Sequence, residues 1–315
     1  MDDLIIKNGY PIYYNDFSCI AEKCKNSCCI GWKIDVDEDT RELYESLEGG
    51  YADKIKESIK IDEDGAHFKL CENGNCPHLN EKGLCNIITE YGDGALSDIC
   101  YLHPRFINSF SGYEETGLGL SCEEVSRIII NSDEPFHIIA ESGFSDSLTE
   151  EEAEMIEIRE DIFNAVNYQG LKLTERIAYI CNEFGVNLKK IKREKLIKDF
   201  LSLERLCDDW TILLENAENE RVFLEILDSE DLTKAFENLL AYFIFRHYPK
   251  TLSGVDERDI IKFSVCSLLL LSLLMKKHEG ESKDMKLYYL SDYARMFSSE
   301  VEYSEENTYK LFEIL

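Results

Sequence analysis

Cysteine is the residue type whose number and spacing could do the most chemistry in this chain. Twelve cysteines occur among 315 residues, and nine of them lie between Cys19 and Cys122. Four of the nine fall within eleven residues with the spacing C-x4-C-x3-C-C, in the stretch FSCIAEKCKNSCCIGWKID. The nine positions follow neither a helical nor a strand period. Their density predicts a loop-rich, metal-bound lobe.

The spacing does not decide which metal such a lobe would bind. Four thiolates can hold tetrahedral zinc or an iron–sulfur cluster. Zinc fingers usually pair their ligands as C-x2-C, and this spacing is absent. Because neighbouring side chains tend to diverge, we expect the adjacent Cys28 and Cys29 to serve two sites, or one of them to pack while the other ligates.

Three other residues beside these cysteines could contribute to a site. His78 and His103 each follow a cysteine closely and are possible ligands, although a histidine in such a place more often has a hydrogen-bonded structural role. Arg105 is a candidate cofactor-binding residue, because its guanidinium could offset the charge of a thiolate-ligated cluster or pair with a carboxylate. The later cysteines lie within apolar helical patterns, and we expect them to be inert core residues: Cys181, Cys207 and Cys266.

The composition of the chain indicates its cellular compartment and which classes of partner it could bind. The chain opens MDDLIIKNGY, without a basic or apolar leader, and its apolar run Phe263–Met275 is shorter than the ~20 residues of a spanning helix. We therefore expect a cytoplasmic protein without a membrane partner, in which thiols stay reduced. The net charge of −29, from 63 acidic and 34 basic residues, makes nucleic acid an improbable partner. It could attract a lysine-rich protein.

The elements that must position the cysteines change character along the chain. Asp37 is a predicted N-cap, Ser121 and Glu124 form a predicted capping box, and Thr149 with Glu152 forms a second one. Helical periodicity then runs to the end. We predict a mainly α fold, in which a cysteine-rich irregular lobe with short strands, residues 1–130, packs on a helical domain, residues 149–315. Residues 131–148 form the predicted linker.

Four motifs together resemble a known family. They are FSCIAEKCKNSCCIGWKID, CPHLNEKGLCNI, DICYLHPR and LGLSCEEVSRIII. In this combination the first 130 residues resemble the flagellin lysine-N-methylases (FliB-like proteins). These are related to the cysteine-cluster proteins of the YkgJ type, which are described as zinc- or iron-chelating.

The resemblance implies an activity, a cofactor and a set of ligands. It implies methyl transfer from S-adenosylmethionine to lysine side chains of flagellin, with a cysteine-ligated iron–sulfur cluster, [4Fe–4S]. Zinc is the alternative metal, and a non-enzymatic metal-binding module that docks a protein partner is the alternative function. Cys71 has no counterpart in the motifs. The matching positions are Cys19, Cys24, Cys28, Cys29, Cys76, Cys85, Cys100 and Cys122.

Overall fold

The predicted mainly α fold is confirmed. The computed structural model describes residues 6–63, 65–217 and 224–315, which contain thirteen α-helices and six short strands. The strands are β1 (Lys7–Pro11), β2 (Ile59–Asp62), β3 (Gly65–Phe68), β4 (Arg105–Phe110), β5 (Tyr113–Leu118) and β6 (Ile138–Ala140). The helices are α1 (Glu38–Ser46), α2 (Ala52–Ser58), α3 (Asn86–Tyr91), α4 (Asp98–Leu102), α5 (Glu123–Asn131), α6 (Glu150–Asn167), α7 (Leu173–Glu183), α8 (Arg193–Leu201), α9 (Asp208–Ala217), α10 (Thr233–His247), α11 (Glu257–Leu274), α12 (Lys283–Phe297) and α13 (Glu305–Ile314). The opening segment MDDLIIKNGY was predicted not to be a leader, and its first five residues lie outside the described residues.

The described chain divides into two compact units. The cysteine-rich unit comprises residues 18–106 and 122–124, and the helical unit comprises the residues up to 17, residues 107–121 and those from 125 onward. The helical unit therefore includes β1 and β5, which the sequence analysis assigned to the cysteine-rich lobe. Residues 131–148, predicted as a linker, contain β6, which pairs antiparallel with β1.

Local capping and a small core hold the cysteine-rich unit. Asp37 caps α1 as predicted, because its carboxylate accepts a hydrogen bond from the Thr40 amide at 2.8 Å. The stretch around Ile34 and Val36 alternates between buried and exposed side chains but is not a regular strand. It instead makes two backbone hydrogen bonds to the β2–β3 hairpin, one from the Val36 amide and one from the Phe68 amide. Cys76 is part of the resulting core, and three further cysteines border it: Cys29, Cys85 and Cys100.

The helical unit combines a small mixed sheet with a large apolar core. The sheet has the order β4-β5-β1-β6, with β1 parallel to β5. A buried ion pair joins β5 to α6, since Arg159 donates to both carboxylate oxygens of Glu115 at 2.5 and 2.7 Å. The predicted capping box of Thr149 and Glu152 starts α6. In α11, every residue from Phe263 to Leu274 is buried, as predicted for a core helix.

One predicted helical stretch is interrupted, and tertiary hydrogen bonds explain the break. Periodicity runs from Ile191 to Leu214, yet α8 ends at Leu201 and α9 begins at Asp208. Between them, the buried Glu300 carboxylate accepts hydrogen bonds from the amides of Leu206 and Cys207 at 2.8 and 2.9 Å. Cys207 is consequently exposed, and its prediction as a core cysteine was wrong. The other two late cysteines, Cys181 and Cys266, are buried as predicted.

Candidate functional site

Two loops of the cysteine-rich unit bring three cysteines together. The Cys76 amide donates to the Cys29 carbonyl at 2.7 Å, and the Gly31 amide donates to the Gly74 carbonyl at 3.0 Å. Both glycines have positive φ, near +87° and +80°, a conformation that side chains other than glycine rarely adopt. These turns fold residues 28–31 against residues 74–76, so the Cys29 and Cys76 side chains lie side by side.

The thiols of Cys28, Cys29 and Cys76 form a hydrogen-bonded trio centred on Cys29. Hydrogen bonds from the Cys28 and Cys76 thiols stabilise the Cys29 thiolate and lower its pKa. The same hydrogen bonds raise the pKa of Cys28 and of Cys76, because each must keep its proton to donate it. The adjacent Cys28 and Cys29 thiols interact by a side-chain hydrogen bond, so these two side chains do not diverge as expected.

Three more residues surround the thiol trio. Cys85 precedes α3 and Cys100 lies in α4, and both are close enough to Cys29 to interact with it electrostatically. Burial raises the pKa of both thiols, that of Cys100 to about 11. His103 interacts with Cys29 and with Arg105, and burial lowers its pKa to about 4. The imidazole beside the trio is therefore neutral at neutral pH, as a metal ligand must be.

Glu123 organises a second group of cysteines. Its carboxylate accepts hydrogen bonds from the Lys25 amide, the Asn26 amide and the Asn26 side chain, each at 2.9 Å. The Cys24 thiol donates to the same oxygen at 3.8 Å. Cys24 in turn interacts with two of the other matched cysteines, Cys19 and Cys122.

Cys122 connects the two groups, since it interacts with both Cys24 and Cys28. All eight matched cysteines therefore belong to one continuous neighbourhood of the cysteine-rich unit. Cys71 lies apart, exposed in a tight turn formed by residues 71–75. The cysteines of the described chain are all free thiols.

His78 has a structural role. It is buried, and its Nδ1 and Nε2 atoms each make a hydrogen bond of 3.0 Å, to the hydroxyls of Tyr51 and Ser58 respectively. Because both ring nitrogens have partners, neither is directed toward the cysteines. The predicted capping box of Ser121 and Glu124 is also absent, since α5 begins at Glu123 and the buried Ser121 hydroxyl has no hydrogen-bond partner.

The chemistry of this donor set fits a thiolate-ligated metal, although a complete site is not preformed. Zinc–sulfur bonds of ~2.3 Å place the sulfurs of a tetrahedral site ~3.8 Å apart, which is also the distance at which thiols hydrogen bond. Cys29 interacts by side-chain hydrogen bonds with Cys28 and with Cys76, so three thiols share one neighbourhood. Within the described residues, however, no group of three His, Cys, Asp or Glu side chains is arranged to hold a metal ion. The residues that would hold one are the trio, with Cys85 and Cys100 beside it.

Two residues of this site were missed or set aside in the sequence analysis. Glu123 was passed over because the S-x-x-E pattern drew attention to Glu124, although an acid directly after Cys122 was a usable signal. His103 was weighed as a ligand but not chosen, and only the fold shows that it lies beside Cys29. Arg105 lies near His103, at the start of β4.

The helical unit contains a separate groove that could receive a side chain of a protein substrate. It lies between α6 and α7 and has a volume of about 650 Å³. Its apolar wall includes Ile158 and Ala165, and its acids are Asp161 and Glu183. Arg176 also lines the groove and is paired with Glu237. The aromatic side chains at the groove are those of Tyr168, Tyr179 and Phe184. Of the helices in the described residues, none has the length and apolar character needed to cross a membrane.

Comparison with known proteins gives three related sequences. The flagellar biosynthetic protein FliU of Salmonella muenchen is 30% identical over 141 residues, which are 43% of this chain and 83% of FliU. The lysine-N-methylases of Salmonella choleraesuis and Salmonella typhimurium are each 32% identical over 127 residues, or 38% of this chain. Those 127 residues are 32% of each methylase, so the match spans about a third of their length.

No protein-family model and no solved structure matches the chain. The relation to YkgJ-type proteins stays a prediction. The match to FliU covers most of that protein, and the two methylases match at similar identity. The chain therefore belongs to the family of the flagellar biosynthetic protein FliU, and it is also similar to the two lysine-N-methylases.

Proposed function

We propose that this protein is a lysine N-methyltransferase that acts on flagellin in the cytoplasm, with S-adenosylmethionine as the methyl donor. The observation that carries the proposal is the 32% identity to two lysine-N-methylases over 127 residues. The relation to FliU, a flagellar biosynthetic protein, supports flagellin as the substrate. The gathered thiols support a metal or iron–sulfur cluster in the cysteine-rich unit.

The groove between α6 and α7 has the chemistry needed to receive a lysine side chain. The four methylenes of lysine can lie on its apolar wall while the ammonium group approaches Asp161 or Glu183. Tyr168 and Tyr179 are each more than half exposed, so their rings are accessible to a cation. A surface with a net charge of −29 also attracts a lysine-bearing partner. We propose this groove as the docking place of the substrate segment.

Methyl transfer requires the uncharged amine of lysine. The nitrogen forms a bond to the methyl carbon as the carbon–sulfur bond of the donor breaks, and the donor leaves as a thioether. The methylated nitrogen then loses its proton to solvent or to a base. Because the ordinary lysine pKa is ~10.4, little free amine exists at neutral pH. A carboxylate in contact would raise this pKa further, so acids serve attraction at the entrance, and a tyrosine or another neutral group suits the reacting nitrogen.

The cysteine-rich unit would hold the cofactor. We propose the eight matched cysteines as its ligand pool, with Cys28, Cys29 and Cys76 at the centre and Arg105 as a nearby compensating cation. When bound, an iron–sulfur cluster with an open iron position supplies a site for the amino and carboxylate groups of the donor. Glu123 positions the loop that carries Cys24 and Cys28.

A labelling experiment tests the proposal. Reconstituted protein is incubated with methyl-labelled donor and purified flagellin, and label on flagellin lysines is measured. We expect label with the wild type and none with the Cys28→Ser/Cys100→Ser variant. The matched control is Cys181→Ala/Cys266→Ala, which changes two cysteines of the helical unit and should retain labelling. If fully reconstituted protein shows neither donor binding nor lysine labelling, the proposed methyltransferase activity is refuted.

The share of each relative that the chain matches favours a second candidate function. The chain matches 83% of FliU but only 32% of each methylase, so most of each methylase lies outside the match. The alternative is a non-enzymatic metal-binding module that docks a protein partner. Anaerobic purification followed by iron, sulfide and zinc analysis separates the two. One equivalent of zinc alone favours the module, and a labile iron–sulfur cluster favours the enzyme.

A further inference from the structure

The helical unit contains a small pocket whose charge is opposite to that of the rest of the chain. Its volume is about 240 Å³, and we call it the lysine pocket. Its cationic side chains come from the segment before α8, from α8 and from α11, and they are Lys190, Lys192, Lys195, Arg258 and Lys262. Its apolar wall is formed by Val186, Ile191, Leu196, Cys266 and Leu315.

Negative charge at the lysine pocket does not balance these cations. Asp199 is the one acidic side chain among the lining residues, and it already pairs with Lys195 at 2.6 Å. Within the described chain, no carboxylate lies at salt-bridge distance from the side chains of the other four cations. In a protein with 63 acids and 34 bases, this is a local reversal of charge.

The local structure makes this arrangement more costly. Lys192 is the N-cap residue of α8, and its side chain makes no capping hydrogen bond. Serine, threonine, aspartate and asparagine are the usual residues at this position. Cations at a helix N-terminus also oppose the helix dipole, which is unfavourable. A sequence that breaks such local preferences in one place commonly does so for function.

We propose that the lysine pocket binds a small phosphate-bearing anion, either a diphosphate or a compact phosphate ester. Lysine and arginine side chains that line one pocket beside a helix N-terminus are groups that recognise phosphate. The volume is below the range of about 300–1,000 Å³ that is usual for drug-sized ligands, so the ligand is compact. The apolar wall around Ile191 and Cys266 can contact the organic part of an ester. This inference concerns the helical unit alone and does not depend on methyltransferase activity.

The test uses the full chain and inorganic pyrophosphate as the probe. Binding is measured by titration calorimetry at constant ionic strength, set with sodium chloride. The pocket variant is Lys190→Gln/Lys262→Gln. The matched control is Lys189→Gln/Lys198→Gln, which removes the same charge from the same region but at residues that do not line the pocket. We expect at least tenfold weaker binding in the pocket variant and less than a twofold change in the control.

Further arms of the test identify the source of the phosphate. Glycerol phosphate binding more tightly than inorganic phosphate supports an ester, and pyrophosphate binding more tightly than both supports a diphosphate. No saturable binding, or an equal loss in the two variants, would overturn the proposal. So would a dimer that the pocket variant dissociates while pyrophosphate fails to bind, because the pocket would then pair with the acidic surface of a second copy. Circular dichroism of both variants checks that they are folded.

Discussion

The same thiol group has opposite properties in the two units of this molecule. In the helical unit, Cys181 and Cys266 are surrounded by apolar side chains, and burial raises the pKa of each to about 12. In the cysteine-rich unit, Cys29 is also partly buried, yet hydrogen bonds from Cys28 and Cys76 lower its pKa below the ordinary value of a thiol. Burial alone keeps a thiol protonated and inert, whereas neighbouring donors produce a thiolate.

The units also differ in what holds them together. The helical unit has a continuous apolar core that includes nearly all of α10 and α11. The cysteine-rich unit has a small core of eight buried residues, and its loops depend on turn hydrogen bonds and on Glu123. A loop-rich segment with little apolar burial needs another source of stability, and thiolate–metal bonds are one such source. Treatments that affect one unit and not the other therefore test this difference in stabilisation.

The largest expected effect follows from metal removal. Structural zinc sites in small peptides contribute on the order of 10 kcal/mol, so stripping metal from the purified protein should loosen the cysteine-rich unit. We expect amide hydrogen exchange to accelerate at least a hundredfold across residues 18–106. Residues 150–217 of the helical unit serve as the internal control and should keep their protection. Equal acceleration in both units would contradict the contrast.

The Arg159→Ala substitution should destabilise the helical unit by about 3–5 kcal/mol. It leaves the Glu115 carboxylate buried without its bidentate partner, and an unpaired buried charge has a cost of this size. Urea denaturation measures the loss. Arg295→Ala is the control, because it breaks a pair with the more exposed Asp292 and should cost less than 1 kcal/mol. A similar small loss in both variants would show that the buried pair is not important.

The helical unit should also lose stability in acid because of Glu302. Burial by itself would raise the pKa of this carboxyl, but Arg246 and a hydrogen bond from His247 outweigh burial and hold the pKa at about 2. Tyr242 donates to the same carboxylate, and Tyr13 also faces it. Because the folded pKa lies below the unfolded value of 4.5, the stabilisation is complete above that value and is lost as pH falls toward 2.

The amount lost corresponds to about 3 kcal/mol, at about 1.4 kcal/mol per pKa unit. Urea denaturation between pH 6 and 3 measures the first part of this loss, about 2 kcal/mol by pH 3. The acid limb is the fall in the free energy of unfolding as the pH is lowered. We expect this limb to be flatter in the Glu302→Gln variant than in the wild type. Glu306→Gln, at an exposed position of α13, should leave the limb unchanged. An unchanged limb in Glu302→Gln would show that another group controls acid unfolding.

The smallest of these effects concerns Glu123. The Glu123→Ala variant removes three hydrogen bonds of 2.9 Å to residues 25 and 26, and we expect a loss of about 2 kcal/mol from the cysteine-rich unit. Tryptic cleavage after Lys25 should accelerate, because this loop is no longer fixed. Glu22→Ala changes an exposed acid in the same loop region and should leave the cleavage rate unchanged. An unchanged cleavage rate in both variants would show that the Glu123 carboxylate does not fix the loop at residues 25 and 26.

Local signals in the sequence predicted the elements that depend on neighbouring residues. The N-cap at Asp37, the capping box at Thr149 and the buried helix through Phe263–Leu274 were all predictable, because capping and apolar periodicity act over a few residues. The break between α8 and α9 was not predictable, because it depends on Glu300, about a hundred residues away. The same limit applies to Glu123, which acts on a loop 97 residues earlier in the chain.

The candidate site shows the same division. Cysteine density predicted a cluster, but the spacing could not show that Cys28 and Cys29 touch, because their directions depend on the turns at Gly31 and Gly74. The net charge of −29 describes the whole composition, but it could not predict the cationic lysine pocket. That pocket is formed by residues of α8 and α11, which are far apart in the sequence. Net charge is an average over the whole surface and does not locate individual sites.

The central claim is that the thiol trio of the cysteine-rich unit binds the metal. The most direct measurement is the iron, acid-labile sulfide and zinc content of anaerobically purified protein, compared among three forms. These are the wild type, Cys29→Ser/Cys76→Ser and Cys181→Ala/Cys266→Ala. We predict bound metal in the wild type and in the helical-unit variant, and its loss in Cys29→Ser/Cys76→Ser. Metal-free wild-type protein, or equal metal content in all three forms, would contradict the claim.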